Sequence, residues 1–471
     1  MATITSNSSE AVETILLDES NATGLDGATL ESMRHGLESD NGFRLMQNAV
    51  TSVSIDEIAV NRSVLNSVDH TFSTLLDDWK VTNQKQSGRC WMFAGLNLFR
   101  VGAMKKMNVS DFEFSQNYTL FWDKLERANY FLEMIINTAS RSLEDRLVSF
   151  LLDGPLDDGG QWNMFINIVN KHGLVPKAAM PETQSSSSTR RMNRNLLTIL
   201  RKGACMVREA IEKSGVDAGR EVKDEVVANV HRVLCIHLGT PPEKVHWQWH
   251  DKDKGFTRDE VMTPVEFAKK YVTLPIDDYV CLVNDPRPGS PIGRTFTVEG
   301  LGNVVGGSMV KYLNIDIETM KRITMESLVD QEPVWMGCDV GPMMHRKLGI
   351  WDARMFEYDM VYEMDMTTSK EQRLLYHDTC MTHAMLFTGV DVVEEGGGSS
   401  ARRWRVENSW GDDSGNKGFF VMNDSWFDEY MFEIAAHRDR LPDELKDAID
   451  QDPIVLPAWD PMGSLAGRRT T

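Results

Sequence analysis

The sequence contains no run of about 18 apolar residues, so no membrane-spanning helix is expected. It has no C-x-x-C pair either. Six cysteines (Cys90, Cys205, Cys235, Cys281, Cys338 and Cys380) lie far apart along 471 residues. That spacing gives no support to a zinc ribbon or a thioredoxin-type centre. It reads instead as reduced thiols in a cytoplasmic protein. The opening MATITSNSSEAVETILLDES lacks a basic stretch followed by an apolar one, so no secretory signal is expected. It also lacks arginine, which argues against a mitochondrial leader. Excess positive charge is missing as well: 50 Lys and Arg stand against 70 Asp and Glu, a net charge of −20. Nucleic-acid affinity rests on cations that neutralise phosphates, so a nucleic acid is not the expected partner. A local basic patch is still compatible with that total. No internal repeat of solenoid period is present.

With 41% hydrophobic and 25% charged residues, the chain is of ordinary globular composition. Its length allows three domains, or one catalytic domain with large insertions. Residues 1–70 read as a helical N-terminal segment whose Ser/Thr/Asp/Glu-rich start frays. Residues 71–180 read as a helical half. There Trp91, Ala94, Leu98, Val101 and Met104 recur every three to four positions, which predicts one buried helical face. Residues 181–335 read as an insertion for assembly, with long helices over 191–237 and then a mixed stretch rich in Pro and Gly. Strands are expected from about Val334, so 336–455 read as a β-rich half. Ala384–Val390 and Trp404–Asn408 are its clearest strands, joined by the turn-rich EEGGGSSARR. Residues 456–471 read as an extended arm, because Pro457 and Pro461 discourage regular structure. A helical first half and a strand-rich second half predict an α+β fold.

One constellation carries chemistry. Gln84-Lys85-Gln86-Ser87-Gly88-Arg89-Cys90-Trp91 precedes and opens the first strong helix. A cysteine at a helix N-terminus feels the positive end of the dipole, which favours the thiolate. The thiolate needs an imidazole, a group to orient that imidazole, and donors for the developing oxyanion. His383 begins one predicted strand, and Asn408 ends the next, before Ser409-Trp410-Gly411. Neighbouring strands would let the Asn408 amide oxygen accept the Nδ1 proton of His383. Gln84 lies six residues before Cys90, so its amide and the Cys90 N–H could share one oxyanion. A lone cysteine is commonly an inert core residue, a lone histidine before a strand a satisfied one, and Asn-Ser-Trp-Gly a turn. Cys, His and Asn in that chain order, with an upstream Gln, instead match a papain-like thiol hydrolase.

The motifs TNQKQSGRCWMF, EFSQNY, DGGQWNM, TRRMN, CLVNDPRP, MTHAM, WRVENSWG and LPAWDPMG carry a closer likeness. On them the chain resembles the bleomycin hydrolase and aminopeptidase C family, within the papain-like cysteine peptidases, from about residue 70 to 466. The resemblance implies a papain-like core with large helical and hook-like insertions, and Cys90, His383 and Asn408 as the catalytic residues. It makes Gln84 the oxyanion-hole side chain and Trp410, with Trp91, supporting residues. Gly159-Gly160 become the backbone that pairs with substrate; a simple turn is the other reading of that pair. The spacing from Cys90 to His383 is about 290 residues, against about 130–150 in plain papain enzymes, and the surplus is the insertion. The family's hexameric barrel, with active sites facing an inner channel, is implied too. No metal or organic cofactor is called for.

A papain-like cleft is open at both ends. By the resemblance, the C-terminal arm fills the non-primed side and offers a terminal carboxylate to the substrate's α-amine, giving an aminopeptidase acting on peptides and aminoacyl amides. The matching arm ends at Ala466, but the chain continues Gly467-Arg468-Arg469-Thr470-Thr471. Trimming after Ala466 would make that residue the functional C-terminus. The rival readings are a papain-like endopeptidase with an empty cleft, a nucleic-acid-binding hexameric scaffold, an inactive scaffold and a metallo-aminopeptidase. His246 and His250 follow Pro241-Pro242 and alternate like a strand, so they read as structural. Gly300-x-Gly302-x-x-x-Gly306 is a poor dinucleotide fingerprint, and Asp412-Asp413 read as a solvated pair.

Overall fold

The structure, a computed structural model, describes residues 17–38, 40–76, 79–395 and 397–464. Residues 1–16, part of the start expected to fray, and Ala466 with the residues after it, lie outside the described residues. Contacts divide the chain into two compact units, Met1–Asn61 with Phe356–Met366, and Arg62–Met355 with Thr367–Thr471.

The smaller unit holds short helices at Gly27–Glu38, Asn41–Val50, Ile55–Ala59 and Tyr358–Tyr362. Asp40 caps the second of these, accepting from the Phe43 N–H. Phe356 bridges to Val60, and the Tyr358 hydroxyl donates to Asp56 at 2.6 Å. Leu30, Met33, Met360 and Met364 remain exposed in this unit.

In the larger unit, helices α1 (Cys90–Met107), α2 (Gln116–Asn137) and α3 (Trp162–His172) pack on one another. Helices α4 (Arg190–Ser214) and α5 (Val216–Leu238) form an antiparallel pair against α2, as the long charged pattern predicts. Helix α1 differs from the single buried face expected. Every residue from Cys90 to Arg100 is buried, because the helix is wedged between the other helices and the sheet. Burying Arg100 is tolerable because it pairs with Glu407 at 2.5 Å, while Asn97 and the Trp79 indole also donate to that carboxylate.

Among the described residues, one 12-stranded sheet dominates. Its strands are β1 (Thr74–Leu75), β2 (Tyr279–Val283), β3 (Thr295–Val298), β4 (Tyr312–Asn314), β5 (Val334–Cys338) and β6 (Met344–His345). They continue with β7 (Ile350–Trp351), β8 (His383–Glu395), β9 (Gly398–Glu407), β10 (Phe419–Asn423), β11 (Met431–His437) and β12 (Ile454–Leu456). The order is β12-β3-β4-β2-β11-β5-β8-β9-β10-β7-β6, with β1 paired to β8. Besides the two-residue β1, strands β2, β3 and β4 precede Val334, earlier than expected. They are three to five residues long and almost wholly buried, so they show no alternation to betray them. The β8–β9 hairpin also runs further than expected, because strand pairing continues through most of EEGGGSSARR. His250 closes a short strand, Gln248–His250, paired with Phe256–Arg258, which agrees with the structural reading of His246 and His250. None of the six cysteines is in a disulfide. Among the described residues no helix is long and apolar enough to cross a membrane.

Candidate active site

Cys90 is the first residue of α1, and its N–H has no helical acceptor. The loop before it is held by Asp158, which accepts from the Gly88 N–H and the Thr189 and Asn193 side chains and pairs with Lys124 at 2.7 Å. Those partners, Lys124 first, outweigh burial and hold the Asp158 carboxyl well below the usual range. Arg89 is fully buried against Glu182, with two bonds of 2.9 and 2.7 Å. Trp91 is fully buried, and its indole donates to the Asp158 carbonyl at 2.7 Å.

Helix α1 packs on β8, and the sheet supplies the imidazole. His383 opens β8 opposite Cys338 of β5, while Leu386 pairs with Glu407, the last residue of β9. Asn408 therefore emerges beside His383, and its Oδ1 lies 2.9 Å from the ring. The nitrogen facing it is Nε2, not the Nδ1 expected from sequence; strand position alone does not fix which way a ring is turned. The Ser409 N–H donates to that same Oδ1 at 2.8 Å. An N–H can face only the oxygen of an amide, so Oδ1 is an acceptor and Nε2 carries the hydrogen. Nδ1 then keeps its lone pair, with no hydrogen-bond partner among the described residues.

Trp410 lies against the His383 ring, centroids 4.9 Å apart, and Asn408 is fully buried. Backbone N–H groups of Ala384 and Trp91 point at the Cys90 sulfur and favour its thiolate, but burial outweighs them and pushes the thiol up to about 11. Burial likewise pushes His383 down to about 4, opposed by the Asn408 bond and assisted by Arg346. The helix N-terminus thus does not by itself ionise Cys90. Passing the proton from Sγ to Nδ1 would make both charges together, each the counterion the other lacks.

Gln84 is buried and fixed at both ends of its amide. Its Nε2 donates to the Ser87 carbonyl at 2.5 Å, and its Oε1 accepts from the Ser409 hydroxyl at 2.6 Å. One Nε2 hydrogen is left over. Ser409 was legible only as part of a turn, yet it links the glutamine to the Asn408 strand end.

Gly159 and Gly160 are buried beside Trp91. A Cβ on Gly160 would stand 2.6 Å from Arg127 Nη2 and 2.9 Å from the Trp91 ring, so the backbone there is necessarily bare. Both glycines line a cavity of about 240 Å³, whose other walls include Tyr130, Leu301, Trp459 and Ser464. The arm thus borders the cavity beside Gly159-Gly160, while neither Cys90 nor His383 lines it. Strand β12 pairs in parallel with β3, and Arg287 bridges Asp460 (2.9 and 3.0 Å) and Asp285. The Tyr312 hydroxyl donates to the Met462 carbonyl at 3.2 Å, and Arg146 covers Trp459 at 3.6 Å. Gly300 and Gly302, set aside in the sequence as a poor nucleotide motif, line the cavity together with Glu299. Among the described residues no group of three or more His, Cys, Asp or Glu could hold a metal ion.

A buried thiol at a helix start, an imidazole with a free Nδ1, and an amide that orients it define a cysteine peptidase of α+β, papain-like build. The profile of the Peptidase C1-like family matches residues 24–463, and the chain belongs to that family. It is 40% identical to bleomycin hydrolase from Homo sapiens over 454 residues, 94% of this chain and 99% of that one. It is 43% identical to aminopeptidase C from Listeria innocua, covering 90% of this chain and 93% of that one. The crystal structure of PepW from Lactobacillus rhamnosis superposes with a TM-score of 0.91 at 42% identity, covering 94% of this chain and 99% of that one.

Proposed function

We propose that this cysteine peptidase is an aminopeptidase of the bleomycin hydrolase type, releasing N-terminal residues from peptides and hydrolysing aminoacyl amides. The observation that carries the reading is the arm, latched by Arg287 and Asp460 along the cavity that Gly159 and Gly160 share. An arm on that side leaves room for little substrate before the scissile bond. Glu299 lines the same cavity and makes no ion pair among the described residues, so a free amine would meet negative charge there.

In this reading Cys90 Sγ attacks the carbonyl of the first peptide bond, and its proton passes to His383 Nδ1. The Cys90 N–H and the spare Gln84 hydrogen hold the oxyanion. Collapse breaks the C–N bond, and the leaving amine takes the proton from His383. Water, deprotonated by His383, then attacks the thioester, releasing the amino acid and restoring the thiol. Asn408 orients the ring, and Trp410 shields that bond. Trp91 supports the cysteine from beneath.

Ala466 belongs to the same proposal as the end of the working arm, with Gly467 to Thr471 removed by the enzyme itself. The homohexamer is supported by apolar side chains left exposed in the smaller unit, among them Met33 and Met360. The cytoplasm is supported by six cysteines outside any disulfide. The net charge of −20 supports a peptide in preference to a nucleic acid.

One measurement tests chemistry and arm together: intact mass and peptide mapping after reaction with a thiol-directed epoxide. The expected result is one adduct, on Cys90, lost amide hydrolysis, and a chain ending at Ala466. An unlabelled Cys90 would contradict the nucleophile. A full-length chain with full aminopeptidase activity would contradict the trimming.

A further inference from the structure

On the Trp410 face of His383, the side toward which the proposed reading sends the leaving amine, the structure places a cation. Arg346 sits at the tip between β6 and β7, its guanidinium 4.6 Å from the centre of the Trp410 ring. Trp410 in turn lies 4.9 Å from the His383 ring. Two ring contacts thus connect the imidazole that protonates the leaving amine to a positive charge at the rim.

The tip is not a loose loop. The Gly349 N–H donates to the His345 carbonyl at 2.9 Å, and the Val421 N–H donates to the Gly349 carbonyl at 2.8 Å. The Gly415 N–H reaches the Lys347 carbonyl at 3.2 Å. Gly349 has a φ of +66°, and a Cβ there would stand 2.6 Å from the Gly415 Cα. Backbone on both flanks therefore fixes where the Arg346 stem begins.

Arg346 is exposed, and the ring of Trp410 is its contact; it makes no ion pair among the described residues. Most other arginines near the cleft are tied down: Arg89 by Glu182, Arg127 by Asp123, Arg287 by two aspartates. Lys347, next to it, is also exposed and makes no ion pair among the described residues. Asp412 and Asp413, on the turn after Trp410, oppose this charge, so the balance is local and not a broad basic field. That Arg346 depresses His383 shows its field reaching the reacting groups.

Resting on the aminopeptidase reading, we propose that Arg346 is a specificity-determining residue on the leaving-group side, favouring substrates with a carboxylate on the residue just after the scissile bond. That carboxylate is either the main-chain terminus of a dipeptide or the side chain of a second-position Asp or Glu. In a bound substrate the leaving nitrogen faces His383, so its residue lies along Trp410. The residue's own span is about 3.8 Å from one Cα to the next, enough to carry a carboxylate from the imidazole toward the guanidinium. A stacked guanidinium offers paired N–H donors in one plane, suited to a carboxylate. The site then prefers short peptides and products of earlier cleavage over long neutral chains.

The experiment measures kcat/KM on four substrates with the same first residue: Ala-Gln-amide, Ala-Gln, Ala-Glu-amide and a neutral fluorogenic alanine amide. It compares the wild type with Arg346→Gln and Arg346→Lys. In the wild type the carboxylate substrates are favoured, and Arg346→Gln lowers the carboxylate-to-neutral ratio about three- to tenfold, with Arg346→Lys retaining part of it. High salt shrinks the wild-type preference and leaves the Gln variant little changed. A drop in the ratio for Ala-Gln alone assigns the main-chain carboxylate, and a drop for Ala-Glu-amide alone assigns the side chain. If Arg346 only shields Trp410, all four rates fall together and the ratio stays fixed, which overturns the proposal. A wild type that cleaves the neutral amide but shows no carboxylate preference overturns it as well. A wild type that cleaves none of the four overturns the aminopeptidase reading and this one with it.

Discussion

Around Gly160 the charged side chains are mostly paired and covered, whereas around Trp410 several stand exposed and unpaired. Arg287 is bracketed by Asp285 and Asp460, Arg127 by Asp123, and Lys124 by Asp158. On the other side of His383, Arg346, Lys347, Asp412 and Asp413 make no ion pairs among the described residues. The first arrangement immobilises the arm, because a partly buried bidentate pair holds geometry as well as charge. The second commits nothing until substrate arrives. In the proposed reading, one end of the cleft defines register and the other discriminates.

The largest expected effect comes where the two ends meet. Gln84 is tied to Ser87 on the cysteine side and to Ser409 on the asparagine side. Gln84→Ala should lower kcat by about 10²–10³-fold, in line with other oxyanion-hole donors. A loss under about threefold in steady-state kinetics would remove Gln84 from that role.

Breaking the paired end should change selectivity more than rate. Asp460→Ala frees the arm and leaves Arg287 with Asp285, so no uncompensated aspartate remains. The rate on an N-acylated amide relative to its free-amine twin should rise about tenfold or more, a range set by losing one charge-assisted bidentate contact. An unchanged ratio would mean that the arm does not guard that side.

The smallest effect concerns a carboxyl buried within the sheet. Glu433 of β11 is fully buried, and burial, opposed by the Cys281 thiol, pushes its carboxyl up to about 8. The folded state then binds a proton that the unfolded state releases near 4.5. Its stability is intact below that value and falls as the pH rises toward about 8. Glu433→Gln should therefore raise the Tm by about 2–5 °C at pH 8.5 and by under about 1 °C at pH 5. A gain independent of pH would show that the carboxyl is not protonated in the fold.

The paired end was partly legible in the sequence. CLVNDPRP and LPAWDPMG were visible as motifs, but that Arg287 of one grips Asp460 of the other is a long-range contact that no local pattern encodes. Cys90, His383, Asn408 and Gln84 were legible because each sits in a local setting tied to its chemistry: a helix start, two strand ends, an upstream loop. The orientation of the His383 ring was not, since Nδ1 and Nε2 depend on packing against Trp410 and Ser409. Strands β2 to β4 were missed because short, almost wholly buried strands carry no alternation. The unpaired end was hardest to read. Arg346 has no motif, and its place over Trp410 exists only once β6, β7 and β10 are aligned.

The most direct test compares hydrolysis of a fluorogenic aminoacyl amide with that of its N-acylated twin, with Cys90→Ala as the blank. If the arm sets the register, the free amine is cut, the acylated twin is not, and the blank is silent. Cleavage of the acylated substrate at a similar rate would contradict the account and make the protein an endopeptidase.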